Sequence, residues 1–176
     1  DIVGQTNGHY MSALSLMYAS TGDKRFKERV DYIVSEIAKA QQEHSDGYTG
    51  PVRTEVWKNI FSGDLKAHKW GVGGGYVPWY VMHKTFAGLI DAYLHTDNEQ
   101  ALEVVIELAD WAKKGTDNLD EAQFQDMLRA EHGGMSESLA HLYAITGNQD
   151  YLTLARRFDH KEILDPLIKQ EDKLAG

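Results

Sequence analysis

The sequence predicts an all-α fold built from helical hairpins. Apolar residues recur at helical spacing in three pairs of stretches, which is the pattern of amphipathic helices that bury one face. A turn of similar composition joins the two members of each pair, and the 176 residues include only three prolines, so long helices are permitted. A chain of this length corresponds to one domain or to part of one.

The three predicted hairpins follow one another along the chain. In each hairpin one apolar stripe leads into a turn and a second stripe follows directly. The first helix of each hairpin is the more apolar, so we expect the first helices to form the inner layer. The paired stripes are Tyr10, Ala13, Leu14, Met17, Tyr18 with Phe26, Val30, Ile33, Val34, Ile37; then Phe86, Leu89, Ile90, Tyr93, Leu94 with Ala101, Val104, Val105, Leu108, Trp111; then Met135, Leu139, Leu142, Tyr143 with Tyr151, Leu154, Ala155, Phe158.

The three turns align residue for residue. Each consists of a tyrosine, two further residues, and then Thr21-Gly22-Asp23, Thr96-Asp97-Asn98 or Thr146-Gly147-Asn148. Gly or Asp at the second position of the triplet suits a left-handed residue that ends a helix, and Asp or Asn at the third suits the N-cap of the next helix. The pattern indicates an internal repeat of helical hairpins.

A long insertion separates the first two hairpins. The stretch 46–80 holds seven of the sixteen glycines, two of the three prolines and three of the four tryptophans, namely Trp57, Trp70 and Trp79. Loops of this length are uncommon unless they are functional, so we expect an aromatic, glycine-rich loop beside a site. Between the second and third hairpins, Asn118 followed by Glu121 predicts the N-cap of a shorter helix.

The composition excludes several classes of function. Lys and Arg number 18 against 27 Asp and Glu, and the net charge of −9 repels phosphate backbones and anionic lipid, so we expect neither nucleic acid nor a membrane as partner. No apolar run is long enough to span a bilayer. The chain has no cysteine, so a disulfide, a thiolate zinc site and a cysteine nucleophile are all excluded within it. Because no His, Asp and Glu cluster has metal-ligand spacing, we expect no complete metal site here.

The ends of the sequence are those of an excised piece. The chain opens at Asp1 without a methionine or a basic-then-apolar leader, and it stops at Gly176 without a polar tail. We therefore expect it to be part of a longer protein, without an intact signal peptide.

Three histidines lie close to the starts of the predicted inner helices. His9 precedes the first helix, His83 lies in the first turn of the second, and His132 precedes the third. Helix N-termini collect unpaired N–H groups and the positive end of the helix dipole. We expect the three histidines at the same end of the array, beside the aromatic loop. For His9 taken alone, a capping or packing role is the more common one.

The residues before His83 are typical of a sugar-binding surface. Trp79 and Tyr80 offer flat apolar faces and a hydroxyl, which sugars require of a binding site. We therefore expect Trp79, Tyr80 and His83 to contact a carbohydrate.

The residues around His132 favour the same role. Gly133 and Gly134 leave backbone N–H groups open to a ligand oxygen. Glu131 and Glu137 bracket the double glycine, and these acids either take part in the site or complement the dipole of the third inner helix. The other histidines are expected to be surface or packing residues: His44, His68, His95, His141 and His160.

Three segments together resemble the β-L-arabinofuranosidase superfamily, glycoside hydrolase families 127 and 146. They are Gly8-His9-Tyr10-Met11-Ser12-Ala13-Leu14 with the first turn, Val77-Pro78-Trp79-Tyr80 with His83-Lys84, and Glu131-His132-Gly133-Gly134-Met135-Ser136-Glu137 with the third turn. They follow the order of the family and cover nearly the whole chain. Ser136 departs from the asparagine more usual in the family.

The resemblance implies an (α/α)6 barrel, of which residues 1–176 would form about half: three hairpins of six, a partial catalytic domain. It implies a retaining hydrolase that removes terminal L-arabinofuranose from plant-type glycans, with a carbohydrate as the partner. The family's zinc-bound cysteine nucleophile and its glutamate acid/base lie later in the sequence, so the resemblance implies zinc in the complete parent and no catalytic residue here. It also implies sugar contacts at the segments matched by His83 and His132.

Two classes of function remain open at the level of sequence. One is a fragment of a retaining glycosidase that contributes part of the sugar pocket. The other is a non-catalytic helical-repeat scaffold that recognises a glycan or peptide through the aromatic loop. A downstream segment with Glu-x-Cys and further cysteines would decide for the enzyme.

Half a toroid would expose apolar flanks at its first and last hairpins. We therefore expect self-association through these edges, or a terminal segment that folds back over them. The expected edge residues are Tyr10, Leu14 and Met17 at one side and Ile163, Leu164 and Leu167 at the other.

Overall fold

The fold is all-α, as the sequence predicts. A computed structural model describes residues 4–132 and 134–173. In these two ranges the helices are α1 (Gln5–Thr21), α2 (Lys24–His44), α3 (Thr54–Phe61), α4 (Pro78–Thr96), α5 (Glu99–Thr116), α6 (Glu121–Ala130), α7 (Met135–Thr146), α8 (Gln149–Arg157) and α9 (Lys161–Ile168). A two-stranded antiparallel sheet, β1 (Gly71–Val72) and β2 (Gly75–Tyr76), precedes α4.

The predicted turns close three helical hairpins, α1–α2, α4–α5 and α7–α8. Gly22, Asp97 and Gly147 end the first helices in the left-handed conformation, with φ of 68°, 52° and 71°. The next residue in each turn, an Asp or Asn, then accepts a backbone N–H of the second helix with its side chain. The repeated turn is therefore confirmed in all three places.

The hairpins stack into two rows of helices. α1 packs against α4 and α4 against α7, while α2 packs against α5 and α5 against α8. In the first row, the backbones of α1 and α4 approach each other closely at two glycines. A Cβ on Gly8 would collide with the Lys84 carbonyl, and a Cβ on Gly88 would lie 2.7 Å from the Gly8 carbonyl oxygen. This row consists of the first helices of the hairpins, the helices predicted to form the inner layer.

The insertion 46–80 is not one open loop. It contains α3 and the β1–β2 hairpin, and two of its three tryptophans are in the core. The centroid of the Trp57 ring lies 4.8 Å from that of Trp79 and 5.0 Å from that of Trp111. Tyr48 stacks on Trp111 with a centroid separation of 4.7 Å. Aromatic pairs at these separations add to the hydrophobic contribution of burial. The aromatic content of the insertion therefore serves mainly to attach it to the hairpins.

The short helix α6 begins two residues later than the N-cap predicted at Asn118 would place it. Asp120, not Asn118, is the N-cap: its side chain accepts the Gln123 N–H at 2.8 Å, and Gln123 Oε1 accepts the Asp120 N–H at 3.0 Å. Asn118 and Asp120 are both good caps, but Gln123 completes this reciprocal capping box at Asp120.

The two edges of the array expose apolar side chains, with one exception to the prediction. Leu14 is only 7% exposed and belongs to the hydrophobic core, because its position on α1 faces the interior. The other predicted edge residues are exposed, as is Ile168: Tyr10, Met17, Ile163, Leu164, Leu167 and Ile168. Within the described ranges no helix combines the length and apolarity needed to cross a bilayer.

Candidate functional site

The starts of α1 and α4 meet at one end of the first row. His9 on α1 lies with Nε2 3.4 Å from the Tyr80 hydroxyl on α4, and His9 is exposed while Tyr80 is half-buried. The Lys84 ammonium, one helical turn after Tyr80, lies 5.1 Å from the centroid of the Tyr80 ring. The structure thus brings His9 and Tyr80 together as expected. Lys84 joins them, although no role is expected for it from the sequence. The signal is its spacing, because a residue four positions after Tyr80 lies on the same face of the helix.

His83 is half-buried at the same end, and its surroundings favour the neutral imidazole. Burial lowers its pKa below the ordinary value of 6.5, and the nearby Lys84 and His9 act in the same direction, whereas Glu137 on α7 opposes them. A neutral imidazole donates one hydrogen bond and accepts another. His83 can therefore serve a ligand hydroxyl in either role.

Gly134 joins this cluster from the start of α7. It has φ of 76°, and a Cβ at this position would overlap the His83 imidazole. The absence of a side chain on Gly134 therefore leaves the space that the His83 imidazole fills. The open amide expected at Gly134 stays a prediction. Gly133 lies outside the described residues.

Glu131 lies in the interior and holds the start of α4. It is 5% exposed, and its Oε1 accepts the Tyr80 N–H at 2.6 Å. Burial raises the pKa of Glu131 to about 7, although the backbone N–H groups of Tyr80 and Trp79 lower it. Oε2 is buried and has no hydrogen-bond partner in the described part of the chain. The Glu131 carboxyl group is therefore turned into the protein, and a sugar contact through it stays a prediction.

His132 is exposed and packs against a second histidine. Its ring centroid is 5.1 Å from that of His160, which precedes α9. Both ring nitrogens of His160 are buried and have no hydrogen-bond partner among the described residues, although Nε2 lies 3.9 Å from a carboxylate oxygen of Glu162. Burial, followed by the charge of His132, lowers the His160 pKa. His160 is thus a packing residue, as expected, but one that supports His132.

Trp79 does not offer a face to a ligand. It is 2% exposed, its Nε1 donates to the Met127 sulfur at 3.0 Å, and its ring packs edge-on against Phe158 at 5.0 Å. The sugar contact predicted at Trp79 stays a prediction, and it would need a ring face that this packing covers. Trp79 is the second residue of α4 and turns towards α6 and the end of α8, while Tyr80 turns towards His9.

The described residues do not fit a zinc site. Structural and catalytic zinc need three or four nitrogen, sulfur or oxygen ligands. Within 4–132 and 134–173 no group of three or more His, Asp and Glu is arranged to hold a metal ion, and the sequence contains no cysteine. The ligands of the zinc that the resemblance implies are therefore not found among these residues.

Comparisons with known proteins agree on one family. Residues 1–176 match the family described as β-L-arabinofuranosidase, GH127 catalytic domain. The non-reducing end β-L-arabinofuranosidase of Bifidobacterium longum subsp. longum is 35% identical over an alignment of 144 residues, and the match covers 76% of this chain and 19% of that protein. The crystal structure of a GH127 β-L-arabinofuranosidase from Geobacillus stearothermophilus T6 has the same fold, with a TM-score of 0.62 at 18% identity over 93% of this chain and 25% of that one.

The chain is shorter than these relatives. It spans 19% of the Bifidobacterium protein and 25% of the Geobacillus chain.

Proposed function

The chain belongs to the GH127 β-L-arabinofuranosidase family, and on that premise we propose that it forms part of the sugar-binding pocket of a retaining glycosidase that releases L-arabinofuranose from plant-type glycans. The observation that carries this proposal is the convergence of His9, Tyr80 and His83 at one end of the first row, with Gly134 packed against His83. His9 comes from α1, Tyr80 and His83 come from the start of α4, and Gly134 precedes α7.

The chemistry of these side chains suits a sugar. Sugar hydroxyls both donate and accept hydrogen bonds, and so do the neutral His83 imidazole and the Tyr80 hydroxyl. The Lys84 ammonium contributes donors only. His132, exposed at the neighbouring segment, supplies a further imidazole.

The bond-breaking step is assigned to other parts of the complete protein. The family's nucleophile is a cysteine, and this sequence has none. The residues in the described ranges provide no ligand set for zinc. The role proposed for this chain is to bind and orient the sugar.

Alanine substitutions test the pocket in the complete protein that carries this chain. His83→Ala and His132→Ala should each lower kcat/KM by about 5- to 150-fold, equivalent to roughly 1–3 kcal/mol of lost hydrogen bonding. His95→Ala is the matched control, because His95 lies on α4 as well, in its last turn. If either test variant instead melts at a much lower temperature with unchanged kinetics per folded molecule, that histidine is structural.

A second assay tests the division of roles. The isolated 176-residue chain should release no arabinose from a p-nitrophenyl β-L-arabinofuranoside, with or without zinc, because it lacks a cysteine nucleophile. Release by the pure chain would refute the assignment of chemistry to other segments.

The alternative of a non-catalytic scaffold has less support. It relies on an aromatic loop, and Trp57 and Trp79 are buried in the core. Trp70 and Tyr76 are the large aromatics of the insertion that stay exposed in the described structure, at 48% and 51%. Glycan or peptide binding that is lost in a Trp70→Ala variant, but not in His83→Ala, would favour the scaffold.

A further inference from the structure

The start of α4 lacks a local cap. Val77, the N-cap position, has φ of 43° and provides no side-chain hydrogen bond, and Pro78 has no N–H. The N–H groups of the next residues would be left unpaired by this geometry. Glu131, 51 positions away in the sequence, accepts the Tyr80 N–H instead.

The same residue ends another element. The Glu131 N–H donates to the Met127 carbonyl at 3.0 Å and so closes the last turn of α6. Met127 also accepts the Trp79 indole N–H through its sulfur. Two adjacent residues of α4, Trp79 and Tyr80, are therefore tied to the end of α6, one through its ring and one through its backbone.

These ties lie between the two histidine segments. His132 directly follows Glu131, and His83 lies one helical turn after Tyr80. Gly134 packs against the His83 imidazole two residues beyond His132. The position of His132 relative to His83 thus depends on a short path through the Glu131 carboxylate, and on the Gly134 contact.

We propose that Glu131 is a positioning residue of the sugar pocket: by accepting the Tyr80 N–H in the first turn of α4 it sets the separation of His132 and His83, and it does not itself touch the sugar. This inference rests on the proposed function and deepens it. A cap that serves helix stability alone is ordinarily a neighbouring Asp or Ser, whereas Glu131 comes from the end of another helix and buries a carboxyl group whose Oε2 has no hydrogen-bond partner among the described residues. Glu131 provides what a local cap cannot, a link between two segments.

Three variants of the complete protein separate positioning from plain capping. Glu131→Ala removes the acceptor, Glu131→Gln keeps an acceptor oxygen of the same reach, and Glu103→Gln is the control because Glu103 lies exposed on α5. The measurements are the affinity for methyl β-L-arabinofuranoside, kcat and KM, the melting temperature, and hydrogen–deuterium exchange of the peptides that contain residues 79–84 and 131–136.

We expect Glu131→Ala to weaken methyl β-L-arabinofuranoside binding and raise KM by at least about tenfold, and Glu131→Gln to stay within about threefold of wild type. Both peptides should exchange faster in the alanine variant and at the wild-type rate in the glutamine variant. If Glu131→Ala only melts earlier, with binding and KM per folded molecule unchanged, Glu131 is a cap and the inference is wrong.

The failure of the proposed function gives a different result. Wild-type protein that binds no arabinofuranoside would refute the sugar pocket. In that case the exchange data still decide on Glu131: coupled loss of protection in both peptides supports the link between the segments, and loss in the 79–84 peptide alone refutes it.

Discussion

Replacing Glu131 by glutamine should remove a pH dependence of stability from the protein. The carboxyl is 5% exposed, and its Oε2 has no partner in the part of the chain that is described. Burial raises the pKa of Glu131 from the ordinary 4.5 to about 7, and this effect exceeds the opposing one of the Tyr80 and Trp79 N–H groups. Glutamine cannot ionise, so it avoids the penalty of a buried negative charge.

The pKa values set the size and sign of the effect. Below pH 4.5 the carboxyl is protonated in the folded and unfolded states, and glutamine then differs from it by a constant amount. Between pH 4.5 and about 7 the folded state keeps its proton while the unfolded state loses it, so the free energy of unfolding of the wild type falls as pH rises. One pKa unit corresponds to about 1.36 kcal/mol, which makes the total loss about 3 kcal/mol.

Urea denaturation of wild type and Glu131→Gln at several pH values from 4 to 8 measures the effect. The difference in free energy of unfolding between the two should shift by about 3 kcal/mol in favour of the variant, and all other titrating groups cancel in that difference. Glu103→Gln should show no such shift, because Glu103 is exposed. If the difference for Glu131→Gln changes by less than about 0.5 kcal/mol over this range, the carboxyl ionises as in water and the α4 amides fully offset the effect of burial.

Three further predictions concern packing. Gly134→Ala should destabilise the protein by roughly 1–3 kcal/mol more than Gly147→Ala. Both positions have positive φ, but only the methyl group added at Gly134 would overlap His83. Equal losses of unfolding free energy in urea denaturation would mean that the His83 imidazole moves aside. Trp79→Ala should lower the free energy of unfolding by about 3–5 kcal/mol, whereas Trp70→Ala, at an exposed site, should change it by no more than about 0.5 kcal/mol. A Trp79→Ala variant with normal stability but weakened sugar binding would instead indicate that Trp79 contacts the ligand. The exposed edges should produce self-association that increases with concentration in sedimentation velocity, since burying apolar area contributes about 25 cal/mol per Å²; a strictly monomeric chain that takes up no hydrophobic dye would contradict this. The apolar side chains concerned are Tyr10, Met17, Ile163, Leu164, Leu167 and Ile168.

The hairpins could be predicted from the sequence because local interactions specify them. A left-handed residue followed by an Asp or Asn cap acts within a few positions, and Gly22, Asp97 and Gly147 all adopt the expected conformation. The start of α6 was predicted wrongly from the same kind of signal. Asn118 and Asp120 both qualify as caps, and only the reciprocal bonds with Gln123 distinguish them.

The candidate site could be predicted only in part. The sequence placed His9 and His83 at helix starts, and the parallel first helices bring those starts together. It could not show which side of α4 each residue takes: neighbouring Trp79 and Tyr80 look equally suited to a sugar, yet Trp79 is buried in the core and Tyr80 lies beside His9.

By itself, the sequence determined the helices of the three hairpins, their turns and the order of the hairpins, because spacing and capping act over a few residues. Only the tertiary structure decided that Glu131 holds α4 across 51 positions, that His132 packs on His160, and that the insertion anchors itself through its tryptophans. These contacts join segments distant along the chain. Their geometry depends on how the helices pack, and no local pattern encodes it.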